Sequence, residues 1–165
     1  MLVEAEGREV NLRVAGRVLD KPYWREVQNA VRTHGLERRF EYWGEVSFAD
    51  KLRFLRGCSV FCLPSRLSET RGTAAMEAMA TGVPVVAPDA GVFPEMLSLV
   101  GGGLLFPPED ASALAAKLAH LMDDPEEADR LGREAAEAVG LHYGADQAVA
   151  AMVAALEELV GDQRS

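Results

Sequence analysis

The chain has 165 residues, 48% of them hydrophobic, which suits one domain (1–165) with a real core and excludes a disordered or disulfide-stapled segment. Acidic residues number 26 against 17 basic ones, and the net charge of −9 argues against bulk nucleic-acid binding. Cys58 and Cys62 lie four apart beside an apolar run, a poor spacing for a disulfide between them. They read as reduced thiols, hence a cytoplasmic chain. Three scattered histidines and two thiols form no metal-ligand cluster, and no apolar run is long enough to span a membrane. The first ten residues lack the basic and apolar regions of a signal peptide.

Residues 1–9 read as the end of a helix. Val10, Leu12, Val14 and Ala15 predict a strand that turns at Gly16-Arg17. Asp20-Lys21-Pro22 opens an amphipathic helix carrying Trp24, Val27 and Val31, which stops at His34-Gly35. Arg38-Arg39 falls in a loop, and Phe40, Tyr42 and Trp43 form a short aromatic strand closed by Gly44. Ser47 and Asp50 make a capping box for a helix with Leu52 and Leu55 that ends near Gly57. Ser59 to Leu63 predicts a buried strand.

The stretch Pro64 to Pro88 organises the rest. It holds a turn, a small-residue helix and a Gly-Val-Pro turn into a second buried strand, Val83 to Ala87. Glu77 sits among Ala74, Ala75, Met76, Ala78, Met79 and Ala80. A carboxylate in so apolar a helix needs a partner, or it costs several kcal/mol. Either it holds a structural partner, with Arg71 the nearest choice, or it faces a polar site at the start of the helix. Glu69, in the preceding turn, reads by itself as solvated surface.

Downstream, Phe93, Met96 and Leu97 predict a short helix with Pro94 in its first turn. Gly101 to Gly103 leads into the strand Leu104 to Phe106. Asp110 caps a helix with the stripe Leu114, Leu118, Leu121. Asp124-Pro125 starts another, carrying Ala128, Leu131, Ala135 and Val139. The last helix begins near Gly144 and is expected to bury Val149, Met152, Leu156 and Leu159. Five apolar strands alternating with helices predict an α/β, doubly wound, mainly parallel sheet covered on both faces. Such sheets bind ligands beyond the carboxyl ends of their strands. Gly16-Arg17, Gly44 to Val46, Pro64 to Thr73 and Asp89 to Pro94 all fall there.

The segment from Pro64-Ser65 through Glu69, Gly72, Glu77-Ala78-Met79-Ala80, Gly82 and Pro84-Val85-Val86-Ala87 resembles the donor-binding domain of retaining GT-B glycosyltransferases. The likeness is to the glycosyltransferase group 1 family, also called family 4. Gly91, Pro94-Glu95, Gly103, Leu105 and Pro107 extend the likeness over nearly the whole chain. The resemblance implies a Rossmann-like half of a GT-B enzyme that moves a sugar from a nucleotide diphosphate sugar to an acceptor hydroxyl with retention. No metal or other cofactor is required. It gives Glu77 the ribose, and Glu69, as the catalytic carboxylate, the donor sugar or its phosphate. Arg71 and Arg17 would meet phosphate, and the backbone N–H groups around Gly72, Thr73 and Ala74 the diphosphate, at a helix start where unpaired donors favour anions. The turns at Gly16 and at Val46 would flank the base.

Thr70-Arg71 replaces the glycine and aromatic residue that usually follow the first glutamate. The resemblance also implies that the first strand of the domain, a basic pair gripping the diphosphate and a whole acceptor-binding N-terminal domain lie outside these residues. The chain alone would then be inactive. The full-length protein would meet a membrane surface rather than nucleic acid. Two alternatives stay open: a non-catalytic nucleotide-sugar-binding partner subunit, and a GT-B-like sugar-nucleotide epimerase, which would need further acid/base groups in its cleft. A receiver-type regulatory domain would need clustered aspartates after the first strand, where Gly16-Arg17 stands.

Overall fold

The computed structural model describes residues 10–66 and 68–162. The expected helix end at residues 1–9 lies outside them. Twelve elements follow one another: β1 (Leu12–Ala15), α1 (Lys21–Thr33), β2 (Phe40–Gly44), α2 (Phe48–Arg56), β3 (Phe61–Cys62), α3 (Thr73–Ala80), β4 (Val85–Pro88), α4 (Phe93–Val100), β5 (Gly103–Phe106), α5 (Ala111–Asp123), α6 (Pro125–His142) and α7 (Ala145–Asp162). Glu37–Arg39, expected as loop, is a single 3-10 turn.

The helix starts follow from side-chain caps. Asp20, Asp110 and Asp124 each accept a backbone N–H three residues on, from Tyr23 (2.9 Å), Ala113 (2.8 Å) and Glu127 (2.9 Å). At α2 the Ser47 hydroxyl accepts from the Asp50 N–H at 3.2 Å and itself donates to the Asp50 carboxylate at 2.8 Å. Proline in the first turn of α1, α4 and α6 costs no hydrogen bond, because those N–H groups have no helical partner.

Every strand pairing among the described residues is parallel, as the sequence implies, and these strands fall in two ladders. β1 pairs with β2, and β3, β4 and β5 form a second ladder in that order. The chain leaving α2 stays tied to it, with the Cys58 N–H donating to Leu55 O at 2.9 Å, and becomes extended only at Phe61. The strand expected over Ser59 to Leu63 is thereby cut to two residues. It bonds on the β4 side, through Phe61 N–H to Pro84 O and Leu63 N–H to Val86 O. As an edge it is half-buried, not buried.

β4 is the central strand and is buried throughout. Its alternate residues serve two cores. Val85 and Ala87 pack with Phe54, Leu55, Ala78, Met79, Phe93 and Met96, while Val86 packs with Phe106, Leu114, Leu121, Ala128 and Leu131. This is the two-faced cover expected of a parallel sheet. Each fully buried Met79, Met96 or Leu121 contributes about 1.5–3 kcal/mol. The last helix differs from its expectation. Val149 and Met152, expected to be buried, are exposed at 62% and 67%. Leu156 and Leu159 lie outside the described side chains.

Both cysteines are free and packed against the cores. Burial pushes the Cys62 thiol up to about 12, and burial also raises that of Cys58. Since the thiolate is the nucleophile, both thiols should react slowly with an aromatic disulfide reagent at pH 8, Cys62 more slowly than Cys58. Both should become fast in denaturant. Peptide mapping after timed labelling measures the order, and equal rates in the folded protein would contradict it.

Candidate functional site

Because all the ladders are parallel, the loops after β1, β2, β3 and β4 leave from the carboxyl ends of their strands. The structure arranges the expected residues there in three groups.

The first joins the turns after β1 and β2. The Gly16 N–H donates to Gly44 O at 2.8 Å, and the Tyr42 hydroxyl donates to Gly16 O at 2.7 Å. Gly16 has φ 134° and Gly44 φ 67°, conformations that favour glycine. Arg17 is exposed, with its Nε 3.6 Å from Glu45 Oε1, and Val46 beside it is half-buried.

The second group centres on Glu69. Its Oε1 accepts the backbone N–H groups of Thr70 (3.1 Å), Arg71 (3.1 Å) and Gly72 (3.2 Å). The N–H donors of Arg71 and then Gly72 hold the Glu69 carboxyl below the usual carboxylate range. The Gly72 N–H, expected to meet a diphosphate, is therefore engaged by this carboxylate. Gly72 is buried with φ 61°, while Thr73 and Ala74, the first residues of α3, are exposed and receive no side-chain cap. Arg71 is exposed. The loop is clamped from the far side: the Val92 N–H donates to Glu69 O at 2.9 Å, and a Cβ on Gly91 would lie 2.4 Å from that same oxygen.

The third group centres on Glu77. Its partner is not Arg71 but Lys51 of α2, whose Nζ lies 2.6 Å from Glu77 Oε1. The two side chains are 34% and 35% exposed, so the pair stands at the surface between α2 and α3 rather than in the core. Lys51 Nζ also lies 6.0 Å from the centre of the Phe48 ring, which is 72% exposed. The helical period explains the placement. Ala75, Ala78 and Met79 turn into the core, which leaves Glu77 on the outer face of α3. Sequence reasoning missed Lys51. Lys51 lies on a short basic helix, with Arg53 and Arg56, whose Phe54 and Leu55 are buried.

A depression of about 620 Å³ opens elsewhere, at the start of α6, lined by Asp124, Glu126, Glu127, Asp129, Arg130 and Arg133. Arg130 pairs with Glu127 and Glu134 there, and His120 Nε2 lies 2.8 Å from Glu127, so this is a solvated charged face.

Topology and loop placement define a Rossmann-like α/β domain, matching one half of the GT-B glycosyltransferase fold. The chain belongs to the family described as Glycosyl transferases group 1, whose sequence pattern matches residues 1–138. It is 35% identical over 114 residues to the phosphatidyl-myo-inositol mannosyltransferase of Mycobacterium leprae, a match covering 69% of this chain and 30% of that protein. Sucrose-phosphate synthase from Thermosynechococcus elongatus superimposes with a TM-score of 0.83 at 26% identity, over 97% of this chain and 41% of that one. Anabaena HepE, in a structure with UDP and glucose, superimposes with a TM-score of 0.81 at 23% identity, over 93% and 43%. The chain thus spans less than half the length of each of these relatives. Among the described residues, no helix is long and apolar enough to cross a membrane.

Proposed function

We propose that this chain is the C-terminal, donor-binding half of a retaining glycosyltransferase, and that Glu77 holds the ribose of a nucleotide diphosphate sugar. The observation that carries this reading is a partly exposed carboxylate one turn into α3, fixed on one oxygen by Lys51. Two vicinal hydroxyls suit a carboxylate, since each donates a charge-assisted hydrogen bond. HepE, a protein of the same fold, was solved with UDP and glucose, which supports a nucleotide sugar as the ligand class.

The same reading assigns the remaining roles. Thr73 and Ala74 offer uncapped N–H groups to the diphosphate at the start of α3, and Arg71 and Arg17 add positive charge. The turns at Gly16 and Val46 flank the base. Glu69, fixed by its own loop, presents its remaining oxygen to the donor sugar. Catalysis of this kind is chiefly positioning and stabilisation of the leaving diphosphate. The acceptor is held by a second domain, and the whole enzyme works in the cytoplasm, at a membrane surface.

The test is paired. Glu77→Gln keeps the shape but removes the charge. It should weaken binding of UDP, GDP or ADP, whichever the chain prefers, by about ten- to hundredfold. Unfolding stability should fall by no more than about 1 kcal/mol, the worth of a partly exposed pair. Calorimetric titration and urea unfolding measure the two. A variant that unfolds much earlier yet binds every nucleotide like wild type would end the ribose assignment.

A further inference from the structure

The Lys51–Glu77 pair is built in a way that a chance surface ion pair is not. Lys51 lies on α2 and Glu77 on α3, 26 residues apart in sequence, so the contact is made by packing of two helices rather than by helical neighbours. Both side chains are about two-thirds covered, and the distance of 2.6 Å is that of a charge-assisted hydrogen bond. Phe48, one turn before Lys51 on α2, sets its ring 6.0 Å from the ammonium, so one side of the cation faces an aromatic surface instead of water. The bond engages Oε1 alone. Among the described residues, Oε2 has no hydrogen-bond partner.

A free glutamate side chain samples several rotamers and must give up that freedom when it binds a ligand. Glu77 has given it up already, because one oxygen is tied to α2. The other oxygen is then held in one orientation between α2 and α3.

We infer that Lys51 is a positioning residue for ribose recognition: by holding Glu77 Oε1 it fixes Oε2 for the ribose hydroxyls, and so sets the discrimination between a ribonucleotide and one without those hydroxyls. This rests on the assignment of Glu77 to the ribose made above. Lys51 acts through Glu77 and touches no part of the ligand itself. Its effect therefore appears on ligands that carry the hydroxyls and vanishes on ligands that lack them.

The experiment titrates the chain with UDP, GDP and ADP, takes the tightest binder, and repeats the titration with its 2′,3′-dideoxy counterpart. Lys51→Met keeps the length of the side chain and removes the charge. It should weaken the ribonucleotide by about threefold to tenfold and leave the dideoxy ligand unchanged, so the ratio of the two affinities falls. Lys51→Arg should restore most of the ratio, and Lys51→Met added to Glu77→Gln should cost nothing further, because the group it positions is gone. A merely structural role would lower the unfolding midpoint without moving the ratio. Equal weakening of both ligands would put Lys51 on the nucleotide directly, and either result overturns the inference. If Glu77→Gln lowers the ratio and Lys51→Met does not, the positioning role falls and the ribose assignment stands. If neither variant moves it, or if no nucleotide binds saturably, both fall.

Discussion

Gly91→Ala should destabilise the domain by about 2–4 kcal/mol and weaken nucleotide binding with it. Gly91 has φ 61°, where a Cβ costs about 1–2 kcal/mol in a residue of L-configuration. The added methyl would also sit 2.4 Å from Glu69 O and 2.9 Å from Glu69 N. These are backbone atoms, which cannot swing aside as the end of a flexible side chain does, and overpacking of this kind costs about 1–3 kcal/mol. The smaller unfolded-state entropy of alanine offsets up to about 1 kcal/mol. Relief requires the Glu69 loop to move, which breaks the Val92 N–H bond to Glu69 O and disturbs the three N–H groups gathered on the carboxylate. Gly82→Ala is the control. Gly82 has φ 81° but open space around the built Cβ, so it should show the backbone cost alone. Urea unfolding of both variants separates strain from collision, and equal losses would remove the collision argument.

Phe93→Ala should cost about 3–5 kcal/mol, the range for emptying a fully buried aromatic site. Phe93 is 1% exposed and belongs to the core that also holds Met79, Met96 and Val100. It opens α4 directly after the Gly91 turn, so the ring joins the loop clamp to the core. A domain of this kind has a total stability of about 5–15 kcal/mol, so the loss is a large fraction of it. Chemical denaturation read by circular dichroism measures the change. A loss under about 1 kcal/mol would mean that the cavity collapses freely, and that the tight packing around Phe93 contributes little.

How far the sequence spoke depends on whether a signal is local. Caps at Asp20, Ser47, Asp110 and Asp124 were legible because a short polar side chain reaches only its own helix. The apolar stripe of Leu114, Leu118 and Leu121 was legible for the same reason: its period is set by one helix. The shortness of β3 was not, because it depends on how the chain leaves α2, a contact between elements. In α7 the period of Val149 and Met152 is genuine, but periodicity shows that an apolar face exists and not what lies against it. The site behaved alike. Glycine turns and strand ends predicted Gly16, Val46, Glu69 and Gly72 in loops beyond their strands, and each lies in such a loop. Lys51 as the partner of Glu77 is a contact between two helices, and no spacing in one chain encodes it. The three backbone N–H groups gathered on Glu69 were not legible either, since every sequence contains such groups and none displays them.

The break between the ladders also bears on how the domain opens. No strand-to-strand hydrogen bond crosses from β1 and β2 to the three-stranded ladder among the described residues. The two parts are joined by the Trp43 ring edge-on to Phe54 at 5.5 Å, by Ala15 and Trp43 against the larger core, and by Arg13 Nη1 donating to Gly57 O at 3.0 Å. Side-chain packing yields more readily than a continuous ladder, and a pair of short strands is only marginally stable alone. Amide hydrogens of β1 and β2 should therefore exchange as an earlier-opening unit, before those of the buried central strand β4, an order that residue-resolved hydrogen exchange measures. The turns at Gly16 and Val46 ride on the earlier-opening unit, while Glu77 belongs to the later one.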